Sequence, residues 1–167
     1  MRCAGIDIAK AGFSALALAI DGEPAKVFAW KYPNKNDSEP DKLDHFYDWL
    51  MLRFAIIRPD IVAVEQVAGF HNRQVIQVLS RFEGVGLLAA KRFGKRHSGV
   101  VVLNPMVGSA RNAALGIPAN SSKEVAFATI KQMYPDFKFG AVNQGGPDKG
   151  DAMTHALAAP QLLERRR

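Results

Sequence analysis

The opening segment "CAGIDIAKAGFSALALAIDGEPAKVFAWKYP" carries apolar runs of strand length, broken by turn residues. It predicts three strands: Cys3 to Ile8 with Asp7 at its end, Phe13 to Ile20 after a turn at Lys10–Gly12, and Lys26 to Tyr32 after the hairpin turn "DGEP". "NKNDSEPDK" is a polar loop. The rhythm then changes to helical spacing, with Leu43, Phe46, Tyr47, Leu50, Phe54 and Ile57 along one face and Arg58–Pro59 as the stop. "IVAVE" is a short apolar strand ending in Glu65, the pattern of a strand buried on both faces. A long amphipathic helix follows over residues 72–93, then a second buried strand in "GVVVLNP". "NSSKEVAFATIKQMYP" predicts a helix capped by Asn120 or Ser121. The last helix is expected from about Asp151 to Leu163, ahead of a basic "RRR" end.

The predicted order is β-β-β-α-β-α-β-α-α. It implies an α/β fold: a mixed five-stranded sheet, three antiparallel strands followed by two parallel ones, with helices on both faces. That order resembles the ribonuclease H-like fold. A Rossmann arrangement is excluded because a hairpin meander opens the sheet.

Composition narrows the class. A chain of 167 residues with 48% hydrophobic and 23% charged residues is expected to form one domain, 1–167, with a real core. Its longest apolar run, "FSALALAI", is too short to span a membrane. Asp7 and Lys10 fall where a signal peptide needs apolar residues, so a cytoplasmic protein is expected, nucleoid-associated or organellar. The lone Cys3 excludes a disulfide framework within the chain. The net charge of +6 favours polyanionic partners, nucleic acid first.

Three acidic features share a setting. Asp7 and Glu65 each end an apolar strand, and Asp148 and Asp151 open the last helix. A lone carboxylate at the end of a buried strand is costly, so Asp7 and Glu65 read as functional ahead of strand-end caps. Asp151 taken alone reads better as a first-turn partner of the helix dipole or an N-cap, and Asp148 as a turn residue. His155, four residues past Asp151, shares its helix face and is either a partner of the site or a structural histidine. If the first and fourth strands are neighbours, the carboxylates converge. Their repulsion is tolerated when a cation sits between them, and an all-oxygen set suits Mg²⁺ or Mn²⁺. Two such ions can clamp an in-line displacement at phosphorus.

"GIDIAKAGFSALAL", "VAVEQVAGFHN" and "DKGDAMTHALAA" resemble the three acidic motifs of RuvC-type Holliday junction resolvases, and the likeness runs over nearly the whole chain. It implies a structure-selective endonuclease that resolves four-way DNA junctions, with Asp7, Glu65, Asp148 and Asp151 as catalytic residues and ligands of Mg²⁺ or Mn²⁺. It implies a homodimer through the helix 72–93, with one active site for each of two opposed strands. The family's basic stretch falls on Arg111, Gly116 and Lys123 in "ARNAALGIPANSSK", and the asparagine after its catalytic glutamate falls on Asn72. Lys10, Arg73, Arg111 and Lys123 are the expected phosphate contacts beside Asn72, together with Arg81, Lys91, Arg92, Lys95 and Arg96.

The departures are specific. The family's aromatic wedge often stands three residues after the catalytic glutamate, which here is Ala68; Phe70 is the candidate to stack on an unpaired base in its stead. "IAKAG" replaces the usual Pro-Gly pair after Asp7, and the loop between Gly116 and Lys123 is one residue longer than expected. These features point to a divergent member of phage or organellar type. The alternatives are a RuvC-like transposase catalytic domain, which would continue into a second domain, and a non-catalytic junction-binding protein of the same fold. An actin- or sugar-kinase-like ATPase would need a glycine-rich phosphate loop downstream, which the sequence lacks.

Overall fold

A computed structural model describes residues 1–9, 13–31, 36–68, 72–97, 99–140 and 145–166. It forms one five-stranded sheet and five helices in the order β1 (Arg2–Asp7), β2 (Phe13–Ile20), β3 (Glu23–Lys31), α1 (Glu39–Ile57), β4 (Ile61–Val64), α2 (Arg73–Arg96), β5 (Val101–Leu103), α3 (Val107–Leu115), α4 (Lys123–Met133) and α5 (Gly146–Glu164). The sheet order is β3-β2-β1-β4-β5. β1 pairs antiparallel with β2 and parallel with β4, and β4 pairs parallel with β5. This is the expected mixed sheet, with the first and fourth strands adjacent.

Several elements differ from expectation. The β2–β3 turn is tighter, with Asp21 and Gly22 both at positive φ (51° and 85°), so β3 begins at Glu23. That conformation matches strand twist in a two-residue hairpin and suits an Asp-Gly pair. α3 was not anticipated. The cap of α4 is Ser122, whose hydroxyl accepts the Val125 N–H, rather than Asn120 or Ser121.

Strand alternation decides what each face can accept. Ala4 and Ile6 of β1, Leu16 and Leu18 of β2, and Val62 and Val64 of β4 share one core with Phe46, Leu50 and Phe54 of α1 and Phe82, Ala89 and Phe93 of α2. Trp30, Phe46 and Phe82 anchor it, with ring centroids 4.9–6.1 Å apart. Each such aromatic contributes about 1.5–3 kcal/mol of burial. The opposite face is lined by small residues, Ala15, Ala17 and Ala19 of β2 and Ala63 of β4, and it receives α5. α5 is buried all round from Gly150 to Ala159, so its polar residues there, Asp151, Thr154 and His155, are buried with it. Gly5 permits this approach: a Cβ there would lie 2.0 Å from the Ala152 carbonyl oxygen and 2.4 Å from the Ala156 nitrogen. Among the described residues no helix is long and apolar enough to cross a membrane.

Candidate active site

Alternation that sends Ala4 and Ile6 to one core sends Cys3, Gly5 and Asp7 to the α5 side. The same parity on β4 sends Ile61, Ala63 and Glu65 there. The register aligns Ile6 with Val64, so Asp7 and Glu65 leave the sheet side by side. The Glu65 N–H donates to the Ile6 carbonyl at 3.0 Å, and the Ile8 N–H donates to Glu65 Oε2 at 3.3 Å. α5 crosses above them. Its start at Gly146, earlier than expected, places Pro147 in the first turn, where proline is tolerated, and moves Asp151 into the second turn. Asp151 is therefore neither an N-cap nor a first-turn acid, and only Asp148 retains that reading.

Two cations pair with three of the four carboxyls, those of Asp7, Asp148 and Asp151. Arg111, on α3, is buried: its Nη2 lies 3.1 and 3.0 Å from the two Asp151 carboxylate oxygens and its Nε 3.3 Å from Oδ1. Its Nη1 donates to the Ser121 carbonyl at 2.6 Å. Lys123, the first residue of α4, places Nζ 2.7 Å from Asp148, 3.2 Å from Asp151 and 3.4 Å from Asp7. Both residues were expected at a phosphate backbone. The structure turns them inward, because buried carboxylates on α5 and β1 demand partners and these are the cations that α3 and α4 bring within reach.

Burial, and next the charge of Glu65, push the Asp7 carboxyl well above its ordinary range. Burial would raise Glu65 too, but hydrogen bonding with Asp7, electrostatic attraction to His155 and the hydrogen bond from the Ile8 N–H outweigh it, and the net shift is downward. His155 is fully buried, and burial depresses its basicity against the pull of Glu65 and Asp151. Among the described residues neither of its ring nitrogens has a hydrogen-bond partner.

The remaining expected residues lie elsewhere. Asn72 caps α2, its side chain accepting the Val75 N–H at 3.0 Å, and Arg73 is exposed beside it. Lys10 and Phe70 lie outside the described residues. Arg81, Lys91, Arg92, Lys95 and Arg96 are exposed along α2, where Arg81 pairs with Glu39 and Arg92 lies 5.8 Å from the Tyr47 ring.

The donor set fits a hard cation. It is all carboxylate oxygen, it already collects an ammonium, and an unpartnered imidazole lies within electrostatic reach. As they stand, no three acidic, histidine or cysteine side chains among the described residues are arranged to hold a metal ion together.

No family model matches the sequence, and no curated protein matches it significantly. Solved structures do match. Thermus thermophilus RuvC superposes with a TM-score of 0.72 at 18% identity, covering 99% of this chain and 97% of that one. T. thermophilus RuvC in complex with a Holliday junction substrate gives 0.71 at 17% identity over 99% and 96% of the two chains. The yeast mitochondrial Holliday junction resolvase gives 0.55 at 14% identity over 93% and 75%. The chain shares the overall fold of these structures, a mixed five-stranded α/β sheet of ribonuclease H-like order, at 14–18% sequence identity.

Proposed function

We propose that this protein is a structure-selective endodeoxyribonuclease that cuts four-way DNA junctions, using Mg²⁺ or Mn²⁺ and acting as a symmetric homodimer through α2. The observation that carries this reading is the convergence of Asp7, Glu65, Asp148 and Asp151 from two strand ends and one helix on the face opposite the main aromatic core. Asp7, Glu65, Asp148 and Asp151 would hold the metal. When bound, the ions supply Lewis-acid stabilisation of charge at the phosphorus being displaced.

The protein's own residues do the rest. Arg111 fixes the Asp151 carboxylate from behind, so that it keeps one orientation. Burial depresses the basicity of His155 against the pull of Glu65 and Asp151, the two carboxyls it is electrostatically linked to. The exposed basic residues of α2 and the +6 net charge suit a polyanionic backbone. A single unit of this fold offers one site, and a two-fold dimer matches the two-fold symmetry of a four-way junction.

The test is cleavage of a mobile four-way junction in Mg²⁺ or Mn²⁺. Symmetric paired nicks are expected, abolished by Asp7→Asn with junction binding retained. Binding without nicking in either metal would replace this reading with a non-catalytic junction-binding protein. Equal cutting of linear duplex would replace it with a general nuclease.

A further inference from the structure

Lys123 stands in an unusual place for a lysine. It is the first residue of α4, and a cation at a helix N-terminus opposes the helix dipole, whereas its neighbour Glu124 suits it. Its ammonium instead faces three carboxylate oxygens, of Asp7, Asp148 and Asp151, at 3.4, 2.7 and 3.2 Å. Those three carboxylates come from a strand end and two successive turns of α5, and among the described residues only the ammonium touches all of them. A hard divalent cation would draw the same oxygens to about 2.0–2.6 Å, closer than an N–H donor allows. A cage held open around an ammonium therefore cannot also present metal geometry, in line with the arrangement among the described residues.

The two basic partners of the site differ in how they are held. Arg111 is buried and forked onto Asp151 and the Ser121 carbonyl. Lys123 is a single charge on a flexible stem, and its side chain is 34% exposed, so a route to solvent is open to it. Arg111, by holding Ser121, keeps the chain that precedes α4 in place while a side chain moves.

We propose that Lys123 is an internal counter-cation: its ammonium holds the carboxylate cage in the metal-free protein, and a divalent ion must expel it to bind. The expelled ammonium swings to the mouth of the site, where it is free to meet a phosphate. This inference rests on the metal-dependent reading above and adds a direct competition between a named side chain and the metal.

Lysine acylation read by mass spectrometry, with Mn²⁺ as the probe, tests it. In chelator Lys123 should react far more slowly than the exposed Lys95. Saturating Mn²⁺, followed by the loss of the free-ion paramagnetic resonance signal, should raise Lys123 reactivity with Lys95 unchanged. Lys123→Met should bind Mn²⁺ roughly tenfold tighter or better, since one neighbouring positive charge is removed. Mn²⁺ binding that leaves Lys123 as protected as before would overturn the exchange alone. Absence of Mn²⁺ binding to wild type and Lys123→Met alike would sink the metal reading itself, and the exchange with it. Where Lys123→Met fails to fold, the acylation measurement on the wild-type chain still decides.

Discussion

Asp7 is 3% exposed at the end of a strand of apolar residues, and its carboxyl is pushed upward first by burial and then by Glu65. A folded-state value above the unfolded one means the folded form binds the proton more tightly. The associated stability is fully present below the unfolded value of 3.8 and is lost as pH rises through the folded value. Asp7→Asn cannot ionise and escapes that loss. In chelator at pH 7 to 8 the variant should therefore be more stable than wild type, by about 0.5–2 kcal/mol, with the gap closing towards pH 4. His155 has the opposite sign, its lowered value costing stability as pH falls below 6.5, but it does so in both proteins and cancels in the difference. Thermal melts across this range check the point, and an equal or lower melting temperature for Asp7→Asn at pH 8 would refute it. Arg111 gives the converse case. Arg111→Ala leaves the Asp151 carboxylate buried without its guanidinium, and should cost about 3–5 kcal/mol in urea unfolding. Adding Asp151→Ala to it should recover most of that loss, because the uncompensated charge is then gone.

At the scale of elements the site depends on how closely α5 lies on β1. A Cβ on Gly5 meets backbone atoms of Ala152 and Ala156, which cannot rotate away. Gly5→Ala should cost about 3 kcal/mol or more, the upper range for overpacking, and should lower junction cutting even where the fold survives, since Asp151 would be lifted from Asp7. The strands, α1, α2 and the sheet order were legible because their apolar residues are large and keep a clear period. α3 was not, because its buried positions are Ala110, Arg111, Ala113 and Leu115, a charged residue and two alanines with one large apolar residue, which make no clear apolar stripe. Its stop signal was present, with Gly116 at φ 67° followed by Pro118. The start of α5 was hidden by Gly145, Gly146 and Pro147, which read as a turn although proline suits a helix's first turn. The four acids were legible as strand ends and a helix start. The inward aim of Arg111 and Lys123 was not, since a basic residue in a sequence carries no sign of which carboxylate it will meet. The lone glycine within β1 was the available clue to close packing there.

For the whole molecule, one active site cannot resolve a junction, so the proposed activity turns on assembly. α1 and α2 pack together on the face away from α5, and between them an apolar groove is lined by Pro40, Leu43, Tyr47, Val85 and Leu88, with Asp44 and Arg92 at its edges. Leu88 is 45% exposed on α2. An exposed leucine in an apolar groove on the helix proposed for the dimer is the residue whose burial a two-fold partner would supply; a stable contact buries about 1,200–2,000 Å² in total. Leu88→Asp puts a charge at that contact without touching the acids on the opposite face. In sedimentation velocity it should shift a dimer to monomer. Its junction product should change from paired nicks to single, uncoupled ones, while metal binding stays at the wild-type level. Retained dimer with Leu88→Asp would move the interface off this groove. A monomer that still made paired nicks would break the link between two-fold symmetry and resolution, because nothing would then time the second cut to the first.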